Sequence, residues 1–267
     1  MQSFKNLLYV TLKWAMRDRI FHALLGVEIV LFFLVPTFSL FSMRQIQELS
    51  ITLSLSIISA TLLFLATLLG ASTVWRDIER RYAASVLTLP APRSAFIIGK
   101  FAGTVIILLV TALSLGLVAA LAIKISSLQY PSELTINWLN IFVSIFSDTL
   151  KYILLAAVAT FFSAISTSFF LPIFGAISVY LAGSASQEVF EYITGNSAQA
   201  INPFLKALAK GLYYVLPNFS AFNLKVNAIY GLPISFYGFS LTIIYFIVYT
   251  SIVLTLAIIV FKKRELP

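Results

Sequence analysis

The chain has 267 residues, of which 60% are apolar and 10% are charged, and its mean hydropathy is +0.98. Soluble globular domains carry about 25% charged residues, so this composition excludes a cytosolic enzyme, a secreted disulfide scaffold and a disordered chain. The net charge of +8 is explained more simply by basic loops on the cytoplasmic side of a membrane than by nucleic-acid binding. We therefore predict an all-α integral membrane protein.

An amphipathic helix is predicted over residues 4–20, before the first long apolar run. Leu8, Leu12 and Met16 lie four residues apart on one face, whereas Lys13 lies on another. Such a helix would lie at the inner headgroups of the membrane. A basic flank that only anchors the first span is the alternative.

Six apolar runs are long enough to span a membrane, since a transmembrane helix needs about 20 mainly apolar residues. They cover residues 21–42, 50–73, 95–123, 140–165, 168–184 and 234–260. Twelve Lys and Arg residues fall on the side of the termini and five on the opposite side, with Lys151 inside the fourth run. We therefore expect a multi-pass protein of the cell (inner) membrane with both termini in the cytoplasm.

The segment at residues 75–89, between the second and third spans, has a strong helical pattern. Its apolar residues recur at spacings of three and four, at Trp75, Ile78, Tyr82, Val86 and Leu89. Charges of both signs fill the other face, at Arg76, Asp77, Glu79, Arg80 and Arg81. A helix of this kind is suited to lie at the membrane edge while it docks a soluble partner. The pattern alone equally allows a solvated loop helix that serves as a topology signal.

Two short helices are predicted in the outer loop at residues 185–233. Asn202 is a good N-cap, and Pro203 follows it at the first helical position. A second segment, from Phe219 to Tyr230, stops ahead of the last span. We expect these segments to cover the helix bundle, and insertion into the edge of the bilayer is the alternative.

No catalytic or metal-binding motif is found in the sequence. A single histidine, His22, cannot build a three-ligand zinc site. A nucleotide phosphate loop needs Gly-x4-Gly-Lys-Ser/Thr, but Gly99-Lys100 is followed by Phe101 and has Ser94 where the first glycine should be. We therefore expect no catalytic residue, metal, cofactor or ATPase activity in this chain.

Three ionisable residues fall inside predicted spans. Glu28 lies about two turns into the first span, where such a group suggests a substrate or ion pathway. A hydrogen bond to a neighbouring helix is an equally good account. Asp148 and Lys151 are three residues apart in the fourth span and are expected to pair with each other or to extend toward the surface.

A family resemblance rests on residues between the second and third spans and on two supporting segments. The matching residues are Asp77-Ile78-Glu79-Arg80, Val86-Leu87, Leu89-Pro90, Pro92-Arg93, Phe96 and Gly99-Lys100-Phe101. The supporting residues are Leu216-Pro217-Asn218 with Phe219 and Phe222, and Lys262-Lys263-Arg264-Glu265. On these residues the chain resembles the permease subunits of type-2 ABC transporters, which are six-helix exporters whose ATP-binding subunit is often a separate chain.

The resemblance implies that residues 1–267 form one permease domain. It implies that the segment 75–89 is a coupling helix seated on the ATP-binding subunit, and that the outer helices are re-entrant elements. The residues it assigns to ATPase coupling are Trp75, Arg76, Asp77, Ile78, Glu79, Arg80, Arg81 and Tyr82. It further implies a homodimer of permease chains, with two ATP-binding subunits that hold ATP and Mg.

The leading hypothesis is therefore an ABC exporter permease that works in the lipid bilayer without binding nucleic acid. Two alternatives are retained. The first is a subunit that moves no solute and relays ATPase motion to a periplasmic or extracellular partner. The second is an ATP-independent carrier centred on Glu28.

Overall fold

A computed structural model describes residues 9, 11, 13, 17, 19–42, 45–79, 93–129, 135–195 and 202–264. Nine helical elements are found among these residues, and no strand. They are α1 (Arg19–Ser39), α2 (Ile46–Glu79), α3 (Arg93–Gln129), α4 (Trp138–Ile165), α5 (Phe170–Thr194), α6 (Pro203–Val215), a 3₁₀ turn (Ser220–Phe222), α7 (Lys225–Tyr230) and α8 (Phe236–Lys263).

Six of the helices, α1 to α5 and α8, are long and apolar enough to cross a membrane. The predicted all-helical, multi-pass architecture is therefore confirmed. The helices are generally longer than the apolar runs: α5 continues to Thr194, and α2 begins at Ile46 and ends at Glu79. These extensions are rich in Ser, Gln and Glu, which lower the hydropathy without interrupting the helix.

The two predicted surface helices at the membrane are described only in part. Residues 75–79 belong to α2 without a break, so the helix predicted over 75–89 does not begin as a separate element at Trp75. Residues 80–89 of it lie outside the described residues. Most of the predicted helix at 4–20 also lies outside them, although Tyr9, Thr11 and Lys13 are helical, with Thr11 buried.

Helix α4 is the centre of the bundle and is buried over most of its length. It is mainly apolar, and its alanines let neighbouring helices approach closely. One close approach is at Gly70 of α2, where an added Cβ would lie 2.7 Å from Cβ of Ala159 and 2.9 Å from the carbonyl oxygen of Ala156. In contrast, α1, α5 and α8 leave most of their surfaces exposed, as expected of helices that face lipid or another subunit.

The distal segment, residues 216–235, enters the bundle from the end where α4 begins. Phe219 and Phe222 are only 1% and 0% exposed. The Ser147 hydroxyl donates a hydrogen bond to the carbonyl of Phe222 at 2.8 Å, and Asn140 Nδ2 donates one to the carbonyl of Leu232 at 2.8 Å. These bonds satisfy the irregular backbone where water is excluded. The segment therefore forms part of the core, in addition to covering it.

Helix α6 begins as predicted, because Asn202 Oδ1 accepts a hydrogen bond from the backbone N–H of Phe204 at 2.9 Å and Pro203 follows. It has no buried residue and lies on the outside of the bundle. The α7 helix ends at Tyr230 and is capped by Gly231, whose φ of +64° is a backbone conformation that favours glycine.

Candidate functional site

The basal end of the bundle, where α2 and α8 finish and α3 begins, is held together by a small apolar core. We call these residues the basal cluster: Val74, Ile78, Phe96, Ile97, Ala164, Ala257 and Phe261. The rings of Phe96 and Phe261 stack with their centroids 5.4 Å apart. The cluster contains residues of α2, α3, α4 and α8, so the end of α2 packs against three other helices.

Trp75 ties α2 to the turn between α4 and α5. Its backbone N–H donates to Ser163 Oγ at 2.9 Å, and its indole Nε1–H donates to the carbonyl of Thr167 at 3.2 Å. The ring packs against Phe169 with a centroid distance of 5.1 Å. Ser163 in turn donates to the carbonyl of Ala71 at 2.6 Å. Trp75 is therefore a structural anchor within the chain.

Charged side chains complete the basal end. Lys100 Nζ lies 2.5 Å from Asp77 Oδ2, and the side chains are 8% and 21% exposed. Arg93 Nη1 donates to the carbonyl of Lys262 at 2.7 Å, which links α3 to α8. Arg264 Nη1 donates to the carbonyl of Ala164 at 2.8 Å, which links the end of α8 to α4. These contacts satisfy the backbone carbonyls at helix ends that would otherwise lack partners.

The eight predicted coupling residues do not all face a partner. Trp75, Asp77 and Ile78 contact other helices of the bundle. Arg76 is half-buried, whereas Glu79 is exposed. Arg80, Arg81 and Tyr82 lie outside the described residues. The contacts of Lys100 with Asp77 and of Ser163 with Trp75 could not be predicted, because contacts between distant segments leave no periodic signal in a sequence.

Glu28 is 5% exposed on α1 and faces the Thr61 side chain of α2. Its Oε2 atom is buried and has no hydrogen-bond partner among the residues that the structure describes. The carboxyl group therefore lies against a neighbouring helix, as one sequence interpretation expects, but one of its oxygens has no partner among the described residues. A buried polar group in this state is unfavourable unless the carboxyl group carries a proton or meets another ligand.

Asp148 and Lys151 form the ion pair that the sequence predicted as one of two outcomes. Lys151 Nζ lies 2.6 Å from Asp148 Oδ1, and the two side chains are 8% and 3% exposed. The Ser59 hydroxyl donates to Asp148 Oδ2, and Lys151 Nζ lies 4.6 Å from the centroid of the Tyr152 ring. Asp148 lies about 15 Å along α4 from its first residue, within one of the six helices long and apolar enough to span a membrane.

Among the described residues, no group of three or more His, Cys, Asp or Glu lies together as metal ligands would. Comparison with known proteins finds no family model and no curated protein that matches the chain.

Proposed function

We propose that this chain is the membrane-spanning permease subunit of an ABC exporter and that a separate ATP-binding subunit drives it. The observation that carries the proposal is the attachment of the end of α2 to three other helices through Trp75, the Asp77–Lys100 ion pair and the basal cluster. The residues that resemble a coupling helix begin in the last turn of α2, at Trp75. A force applied there would be passed to several spanning helices at once.

In this proposal the basal end faces the cytoplasm, and two permease chains assemble with two ATP-binding subunits. ATP and Mg are held by those subunits, and closure of the ATPase pair shifts the spans as rigid bodies. Glu79 is the described coupling residue with an exposed side chain, so it is assigned to contact the ATPase. Trp75 and Asp77 instead hold the helix end that receives the force.

One observation favours the motion-relay subunit as a second candidate. Helix α4 carries the basal contacts of Ser163 and Ala164 at one end. Near its other end, Ser147 and Asn140 hold the distal segment. The same rigid helix thus connects the proposed ATPase side to the opposite surface, as a relay to an extracytoplasmic partner would require.

The chain has no cysteine, so one introduced thiol gives a site-specific crosslink. The experiment is to place Glu79→Cys in native membranes, add a bifunctional crosslinker and identify the products by mass spectrometry. We expect a product with an ATP-binding subunit, and no such product from the control Glu191→Cys on α5. If Glu79→Cys attaches to no nucleotide-hydrolysing protein, the proposed function is wrong.

A further inference from the structure

A polar cavity of about 410 Å³ lies between α2, α4, α5 and the distal segment. The deep part of its lining includes Lys151, Tyr152 and Tyr180, and the two tyrosine hydroxyls are 3.4 Å apart. We call this part the floor, and its Lys151 is the buried partner of Asp148 already described. A cavity of this size and polarity inside a membrane bundle is suited to a small ligand and not to lipid tails alone.

Glu188 and Asn223 line the exposed side of the cavity, which we call its mouth, and the half-buried Lys225 also lines the cavity. The Ser220 hydroxyl donates a hydrogen bond to the carbonyl of Ser184 at 2.7 Å, which fixes the height of the distal segment along α5. Tyr180 lies one turn of α5 below Ser184, toward the floor, and Glu188 lies one turn above it. Glu188 and Asn223 are exposed, so the cavity opens at this level.

The charged groups around the cavity are one ion pair and two groups that belong to no ion pair within the described residues. Lys151 is neutralised by Asp148. Within the part of the chain that the structure describes, Lys225 and Glu188 take part in no ion pair, although they line the same cavity. Burial lowers the pKa of the Lys225 ammonium group, the charge of Asp148 opposes this shift and the charge of Lys151 adds to it. Burial removes water from the Lys225 ammonium group, and an anion bound there would compensate for the lost water.

We propose that this cavity binds a zwitterionic ligand that carries a phosphate group and a primary ammonium group. The phosphate oxygens accept hydrogen bonds from the Lys225 ammonium group and from the N–H and hydroxyl groups that line the floor. The ammonium group of the ligand pairs with the Glu188 carboxylate. A pure anion would face Glu188 without compensation, and a pure cation would face Lys225. Phosphate fits better than carboxylate because it offers more acceptor oxygens to the several donors that line the floor.

The ligand reaches this site either from water through the mouth or from the membrane. The exposed Ala60 and the partly buried Leu63 of α2 form part of the lining, so one wall of the cavity is apolar and continuous with the outer surface of α2. A phospholipid with an ethanolamine headgroup and a free phosphoethanolamine share the recognised chemistry. The site requires no ATP-binding subunit, and so it stands or falls separately from the proposed function.

The test uses the purified full chain in detergent free of ethanolamine lipids, titrated with O-phosphoethanolamine, inorganic phosphate or ethanolamine. We expect O-phosphoethanolamine to bind at least about tenfold more tightly than either fragment, since both charges are then paired. Lys225→Gln and Glu188→Gln should each weaken its binding by about tenfold or more. Glu188→Gln should strengthen the binding of inorganic phosphate, because it removes the opposing carboxylate, whereas Lys225→Gln should reduce it.

Two matched controls separate the site from general surface charge. Lys206→Gln on α6 and Glu191→Gln, one turn beyond Glu188 on α5, remove the same charges from residues that do not line the cavity. Both should bind within about twofold of the native chain. Thermal melting of each variant measures whether the fold is kept. We expect unchanged melting temperatures, because neither Lys225 nor Glu188 has an ion-pair partner to lose within the described residues.

Lipid nanodiscs then distinguish the two sources. Enrichment of ethanolamine phospholipid over choline phospholipid by the native chain, lost in Glu188→Gln, identifies the headgroup as ligand. Binding of O-phosphoethanolamine without lipid enrichment identifies the soluble zwitterion. The proposal is overturned if O-phosphoethanolamine binds no better than phosphate, if Glu188→Gln has no effect on it, or if nothing binds.

Discussion

Asp77 and Lys100 join the last turn of α2 to the first part of α3 across a distance of 2.5 Å, beside the stacked rings of Phe96 and Phe261. The predicted ATPase-coupling residues begin in this last turn of α2, at Trp75. The ion pair therefore fixes the distance between the end of α2 and the start of α3. Asp77 therefore contributes to the packing of the helix bundle, although the sequence analysis groups it with the predicted coupling residues.

Asp77→Asn is expected to lower the free energy of unfolding by about 2 kcal/mol, because it leaves the largely buried Lys100 ammonium group without its carboxylate. The exchanged pair, Asp77→Lys with Lys100→Asp, should recover much of this loss. Thermal melting of the purified chain in detergent measures both effects. An exchanged pair no more stable than the single variants would show that the attraction between the two charges contributes little.

Glu79→Lys is expected to abolish stimulation of the ATPase while leaving the melting temperature unchanged. The side chain is exposed, so charge reversal there changes a surface contact and not the packing of the bundle. ATP hydrolysis of the reconstituted complex is the measurement. Glu191→Lys on α5 is the control, and it should behave like the native chain. Full stimulation with Glu79→Lys would count against the assigned contact.

The sequence predicted the six spans because their apolar length is a direct physical requirement of the bilayer. It also predicted the start of α6, where Asn202 and Pro203 act locally. The end of α5 was placed ten residues too early, at 184 instead of Thr194. Ser186 and Gln187 lower the hydropathy there, but they find partners inside the protein.

The candidate sites were less accessible to sequence reasoning. The Asp148–Lys151 pair was predictable because its two members are one helical turn apart. The position of Lys225 near that pair was not predictable, because it depends on how the distal segment enters the bundle. That entry is fixed by contacts such as the one between Ser147 and Phe222, which lie far apart in sequence.

Gly70→Ala is expected to destabilise the bundle by about 1–3 kcal/mol. The new methyl group would lie 2.9 Å from the carbonyl oxygen of Ala156, which is backbone and cannot turn away. Gly26→Ala on α1 is the matched control, since nothing lies within 4 Å of the added methyl group. It should be neutral or slightly stabilising, because alanine favours a helix over glycine. Equal melting temperatures for the two variants would contradict the close contact between α2 and α4.

Asp148→Asn is expected to cost about 3–5 kcal/mol, because it leaves the ammonium group of Lys151 buried without its counter-charge. Adding Lys151→Met to Asp148→Asn should restore most of that stability, since the unpaired charge is then removed. Melting of the single and double variants is the measurement. A double variant that remains as unstable as Asp148→Asn would mean that the unpaired Lys151 charge is not the cause of the destabilisation.

Glu28→Gln tests whether the chain works as an ATP-independent carrier. The amide keeps the shape of the side chain and removes a charge from a site where one carboxylate oxygen has no partner among the described residues, so we expect the stability to be unchanged or slightly higher. In the proposed exporter, transport by the variant continues and still requires ATP. Reconstituted vesicles with either ATP or an imposed proton gradient measure this directly. Loss of a gradient-driven, ATP-independent flux in Glu28→Gln, with that flux present in the native chain, would instead assign transport to Glu28 itself.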